Sequence, residues 1–299
     1  MDVRYMLKNK SILTNDIKAD RNISSKNDNR NGKKRPAIKL NWNTRCILCL
    51  LPSLAGMSLF FFWPYLRVLY YSLIDDQFHK NLVGLDNYIR ILGNSYFQLA
   101  MKNSLLLILI AVPALIILAI TLSLLLSFQL SKMPKIRDSF IFPMLIPTAS
   151  IVIIWQQLFS SSETALPIYL LFIWKNIGIC IILLTAALTT IDRDMLEAAK
   201  LDGARSWQLH IKITIPVITP TIFFTILLAI VNSFKIFKES YLYYGNKYPP
   251  DHSYTLQYFM NNNFLKFDYQ VLAASSIMTS LLVLAIVGIG LSVQRRYQS

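Results

Sequence analysis

From residue 46 onward the chain alternates long apolar segments with short polar ones. A bilayer core of about 30 Å is crossed by about 20 apolar residues of helix. The segments near 46–72, 103–128, 139–159, 167–189, 216–238 and 269–292 each reach that length. The pattern predicts an all-α, polytopic membrane protein with six transmembrane helices. Prolines at 52, 64, 113, 143, 147 and 167 fall within or at the edges of these spans. Each removes a backbone donor, which neighbouring helices or water can compensate, so several helices are expected to kink. Residues 1–45 are rich in Asn, Ser, Lys and Arg and show almost no apolar periodicity, so they cannot bury enough surface to offset the entropy of ordering. They predict a disordered basic tail, leaving 46–299 as the membrane domain. The first apolar run has the length of a span, not of the short core of a cleaved secretory peptide.

Composition agrees: of 299 residues, 54% are hydrophobic and 15% charged, more apolar surface than a soluble domain of this size can hide. The formal charge of +14 is not a nucleic-acid footprint, because it is concentrated in the tail and in two short loops. Twelve of the 30 Lys and Arg precede residue 46. Lys132, Lys135 and Arg137 follow the second span, Arg193, Lys200, Arg205 and Lys212 follow the fourth, and Arg295 and Arg296 close the chain. The positive-inside tendency puts all of these in the cytoplasm, with both termini. The 73–102, 160–166 and 239–268 segments then face outward. A basic tail beside anionic lipid needs no further role.

Cys46 and Cys49 are spaced C-x-x-C but lack the further Cys or His ligands that zinc requires, so they read as two small residues on one helix face. No phosphate-binding G-x-x-x-x-G-K-[ST] is present, and no metal or cofactor is expected. Nor do the loops offer a Ser/His/Asp set, paired carboxylates or an HExxH pair, so no catalytic residue is expected. A membrane enzyme or a non-transporting assembly factor is the alternative class.

The informative polar stretch lies at 190–215, between the fourth and fifth spans. Glu197-Ala198-Ala199-Lys200-Leu201-Asp202-Gly203 is followed, nine residues on, by Ile213-Thr214-Ile215-Pro216. The Leu and Ala residues are strong helix formers with acid near the start, where the helix dipole favours it, and Gly203 can end the helix in a left-handed turn. A short helix, a turn and a second helix along the membrane surface are expected, meeting Pro216 at the mouth of the fifth span.

This spacing resembles the EAA loop of binding-protein-dependent ABC importer permeases, with Ile215 where leucine is usual. Asp202-Gly203-Ala204 and the Leu196 before the glutamate look like the carbohydrate branch, the maltose-type permeases. Val83-Gly84-Leu85-Asp86-Asn87-Tyr88, Phe142-Pro143-Met144-Leu145-Ile146-Pro147 and Asn232-Ser233-Phe234-Lys235 extend the likeness. Tyr244-Gly245-Asn246-Lys247-Tyr248-Pro249-Pro250 stands in place of a glycine-rich element. The resemblance implies a permease fold, and ATPase subunits that grip Glu197, Ala198, Ala199, Asp202, Gly203 and Pro216. It also implies a second permease subunit, an extracytoplasmic solute-binding protein and a sugar substrate.

Ionisable residues at membrane depth are expensive and tend to face a cavity. Trp174, Lys175 and Asn176 in the fourth span and Asn232 and Lys235 in the fifth reach similar depth, so they are expected to border a substrate path. The alternatives are that Lys175 snorkels or pairs with Glu239, or that Lys235 and Glu239, four apart on one helix, pair with each other. The tyrosines of 239–268 are expected to form an interfacial belt rather than a docking surface.

Overall fold

A computed structural model describes residues 42–76, 78–130, 140, 142–159, 163–245 and 249–298. The expectations for residues 1–41 and for the basic turn after the second span lie outside the described residues. Two units are distinguished, Met1–Phe60 and Phe61–Ser299.

The first unit contributes α1, Trp42–Met57, which continues through Pro52 in its interior. The helix therefore begins four residues before the expected start of the first span. A wide π turn, Ser58–Phe62, carries the run into the second unit. Cys49–Tyr71 is long and apolar enough to cross a bilayer.

In the second unit, α2 is Trp63–Tyr71, with Pro64 in its first turn, where a missing N–H does least harm. The chain then reverses. Ile74 and Leu82 form an isolated antiparallel bridge, and Gly84 takes a positive φ of 61° that side chains disfavour. This turn delivers Asn87, on α3 (Asp86–Leu92), into the interior. Its Nδ2 donates to the carbonyls of Ser72 at 3.1 Å and Ile74 at 2.8 Å. Tyr88 Oη meets Ser72 Oγ at 2.7 Å. The Gly-Leu-Asp-Asn-Tyr element is thus a clasp on the exit of the first span.

Helix α4, Ser95–Leu130, starts two turns before the expected span and runs through Pro113. The third expected span is not one rod. It appears as α5, Phe142–Leu145, and α6, Thr148–Leu158. Between them Pro147 sits at φ −55°, ψ 130°. Proline lacks the N–H a continuous helix would need and pushes its predecessor toward extended backbone. At 1.5 Å per residue α6 is about 16 Å long, half a bilayer core. Helix α7 is Leu166–Leu188. Next come α8, Arg193–Leu201, and α9, Ser206–Leu209. A second π turn, His210–Thr214, leads into α10, Ile215–Ser233. The fifth span therefore stops five residues before its expected end. A turn at 234–236 separates it from α11, Phe237–Tyr244, so Lys235 and Glu239 do not share a helix. Helices α12, Leu256–Leu265, and α13, Tyr269–Gln298, complete the fold. Five helical runs among the described residues are long and apolar enough to cross a membrane, with α6 as a shorter apolar helix.

The main core is the packing of α4, α7 and α10. Leu107, Ala111, Leu115 and Ala119 of α4 meet Ile168, Phe172, Ile181 and Leu184 of α7 and Ile218, Ala229 and Ile230 of α10. Ala111 and Ala119, fully buried, let the helices approach closely, as membrane helix pairs require. Gly290 of α13 serves the same end, since a Cβ there would lie 2.7 Å from Leu227 Cδ2.

A second core joins Ile91, Phe97 and Ala100 to Tyr254, Leu256, Tyr258, Phe259, Val271 and Ala274. Tyr254 and Tyr258 are buried and their rings stack at 6.0 Å. Asn262 Nδ2 donates to Tyr254 Oη at 3.2 Å. Burial pushes the Tyr258 hydroxyl pKa up. Tyr254 and Tyr258 therefore pack the interior of the 239–268 segment and do not join an interfacial belt, while Tyr241, Tyr243 and Tyr244 are half-buried and Tyr248 lies outside the described residues. Asn103 Nδ2 fastens that segment to α4, donating to Asp251 O at 2.5 Å and Tyr254 O at 2.9 Å.

Candidate functional site

Two groups of expected residues lie at the two ends of α10. At one end is the loop of 190–215. Asp192 caps α8, its Oδ1 accepting from Asp194 N at 3.0 Å. The helix closes at Gly203, whose φ is +85°. Ala204 N donates back to Ala199 O at 3.0 Å and Gly203 N to Lys200 O at 3.0 Å, a six-to-one closure that a left-handed residue allows. Gln208 Oε1 then accepts from Arg205 N at 2.8 Å, which starts the next helix.

The expected second helix is present as α9, but it is not separate from the fifth span. From Ser206 the chain stays helical through the π turn to Ser233, and Pro216 lies in the first turn of α10, at the mouth of the fifth span as expected. Proline is tolerated there because the widened turn ahead of it does not need its N–H. Leu209 is buried and Thr214 Oγ1 donates to Leu209 O at 3.2 Å. Glu197, Ala198, Asp202 and Gly203 are exposed and Ala199 half-buried. Leu201, at 90% exposure, presents a bare apolar side chain next to them. The arrangement is an exposed knob on a continuous helical arm.

At the other end of α10, Asn232 Nδ2 donates to Asn176 Oδ1 at 3.0 Å, and Asn176 Nδ2 donates to Phe172 O at 2.8 Å. One residue away, Lys175 pairs with the buried carboxylate of Glu239 on α11. Lys175 Nζ also donates to Thr148 Oγ1 at 3.0 Å, on the first residue of α6. Trp174 packs on Trp155 with centroids 5.7 Å apart, and Trp155 Nε1 donates to Pro167 O at 2.8 Å. Trp174, Lys175, Asn176 and Asn232 are therefore brought together. Lys235 is not among them; it stands exposed in the turn after α10.

Sequence reasoning missed Thr148 and Trp155. The Pro143 and Pro147 pair was their signal, since a break there places a helix start beside the fourth span. It also passed over Arg67 within the first span, whose guanidinium lies 5.3 Å from the centre of the Trp63 ring. No group of three or more His, Cys, Asp or Glu that could hold a metal occurs among the described residues.

This architecture matches known proteins. The family model for the binding-protein-dependent transport system inner membrane component matches residues 136–298, and the chain belongs to that family. It is a membrane transport subunit, not an enzyme. It is 28% identical over 265 residues to the lactose transport system permease protein LacF of Rhizobium radiobacter, covering 78% of this chain and 87% of that one. Identity to the trehalose/maltose transport system permease protein MalF of Thermococcus litoralis is 25%, over 83% of this chain and 92% of the relative. In fold the chain is similar to a crystal structure of a bacterial ABC transporter involved in the import of the acidic polysaccharide alginate. The TM-score is 0.68 at 20% identity, covering 85% of this chain and 96% of that one.

Proposed function

We propose that the chain is a permease subunit of an ATP-driven importer for a sugar or oligosaccharide, and that it couples ATPase closure to alternating access. The substrate class is supported by relatives that carry lactose, arabinooligosaccharides and trehalose or maltose in their names. Residues 46–299 are the permease domain, 1–45 a cytoplasmic tail, and both termini face the cytoplasm. The partners are ABC ATPase subunits at the 190–215 loop, a second permease subunit and an extracytoplasmic solute-binding protein.

One observation carries the reading: the exposed α8 knob joins, through the Gly203 turn, the start of a continuous helical run, Ser206–Ser233, whose far end carries Asn232 of the polar cluster. Glu197 to Gly203 form the gripped surface, with Leu201 as its apolar anchor. Motion of the ATPase is passed through Leu209 and past Pro216 into α10. That helix spans about 28 Å at 1.5 Å per residue and carries Asn232 at its far end. Shifting Asn232 against Asn176 exchanges the two arrangements of the path, a rigid-body coupling without covalent chemistry in this chain. The Asn176 and Asn232 amides bond substrate hydroxyls and Trp174 stacks on a sugar face. Lys175 shapes the path through Glu239, and Lys235 stands at its outer mouth.

Co-purification with the ATPase tests the coupling half, and uptake of labelled oligosaccharide by Asn232→Ala tests the path. Normal ATPase capture by Gly203→Pro would remove the gripped surface from the proposal. Unchanged uptake by Asn232→Ala would remove the path.

A further inference from the structure

Along the early part of α4 runs a groove of about 490 Å3 that neither end of α10 uses. Gln98, Met101, Lys102, Leu105, Leu106 and Leu109 line it. Its polar residues are gathered at one end. Gln98 Nε2 is held by Leu92 O at 2.8 Å, Lys102 is exposed, and from Leu105 onward the lining is wholly apolar. Lys102 lies about 10 Å along the axis from Ser95 and Leu109 about 21 Å, at 1.5 Å per residue. With the second span starting near residue 103, the groove runs from the interface at Lys102 toward the hydrocarbon at Leu109. No carboxylate of the described residues pairs with Lys102.

We infer that this groove is a binding site for one anionic phospholipid, with an acyl chain along Leu105 to Leu109 and the headgroup phosphate on Lys102. Its volume falls within the range of small-ligand sites. Two observations choose a lipid over a helix of another subunit. Helix pairs in membranes rely on small residues that let backbones approach, whereas this groove is walled by Leu and Met, flexible side chains that mould to a hydrocarbon chain. A covering helix would have to bring a carboxylate of its own to meet the Lys102 ammonium, while an anionic lipid supplies the phosphate at the depth to which a lysine reaches. The site lies in the outer leaflet in the proposed orientation, but its chemistry does not depend on transport.

The assembled importer, reconstituted in nanodiscs of phosphatidylcholine with or without phosphatidylglycerol, tests this by native mass spectrometry of retained lipid. Wild type and Lys102→Arg should retain phosphatidylglycerol over phosphatidylcholine. Lys102→Glu should lower that preference about fivefold or more, as expected for one basic residue at a lipid surface. Leu105→Trp should lose the lipid by filling the groove, and Leu109→Trp serves if that variant does not assemble. Equal phosphatidylglycerol retention by wild type and Lys102→Glu would overturn the site. So would a photo-crosslinker at Met101 captured by the second permease. Neither result touches the transport reading, which uptake measures separately.

Discussion

The two ends of α10 are built on opposite principles. At the loop end, apolar and small side chains are left in the open: Leu201, Ala198 and Trp207 are exposed around the left-handed turn at Gly203. At the other end, charged and amide groups are drawn inside, with Lys175 on Glu239 and Asn232 on Asn176. Exposed apolar groups gain by being covered, while buried polar groups lose heavily if left unpaired. The first end is therefore unfinished without a partner and the second is paired within the chain, so substitutions should damage assembly at one end and, where they strand the buried charge, folding at the other.

The largest effect is expected at the buried pair. Lys175→Met leaves the Glu239 carboxylate enclosed without its cation, a loss of about 3–5 kcal/mol. Thermal unfolding in detergent should fall sharply, and adding Glu239→Gln should restore most of it. A double variant no better than the single one would show that Lys175 acts through something other than Glu239. Next comes Gly203→Pro, which cannot hold a φ of +85°. Forcing the turn elsewhere involves about 1–3 kcal/mol of local strain. The protein should still insert, yet ATPase capture and uptake should drop together. Asn232→Ala removes one hydrogen bond, about 1 kcal/mol. Stability should barely change while uptake falls.

The smallest effect concerns the turn after the first span, distant from both ends. His79 Nδ1 bonds Asp76 Oδ2 at 2.6 Å. The His79 side chain, followed by its backbone N–H, holds the Asp76 pKa down to about 2, and the same contact raises that of His79. The carboxylate contribution is present above its ordinary value and is lost as pH falls through about 2. The imidazole contribution is present below the ordinary 6.5 and is lost as pH rises through the raised value. Amide protection in this turn, taken relative to the intrinsic exchange rate at each pH, should therefore be highest between about pH 4 and pH 6.5, and His79→Gln should flatten that profile.

The spans were legible because hydropathy alone demands them, and the Gly203 turn because only its residue types at that spacing make it. Less legible was whatever depends on distant pairing. Glu239 sits 64 positions from Lys175, and nothing local distinguishes that partner from Lys235. Tyr254 and Tyr258 have the composition of an interface belt, and only the packing of α12 on α4 and α13 turns them inward. The broken third span was readable in principle from Pro143 and Pro147. Its long apolar run masked the break, because hydropathy registers length and not continuity.

The widened turn at His210–Thr214 has a consequence for register. An α-helix advances about 100° per residue, and π turns accommodate one residue more than the regular spiral. Excising a single residue there would let the turn close as an ordinary α turn with Asn232 still facing Asn176, whereas excising one from the regular spiral of α10 would swing Asn232 about a quarter-circle away. The arm thus stores an angular phase as well as a length, and the widened turn is the place where a residue can be lost with the phase kept.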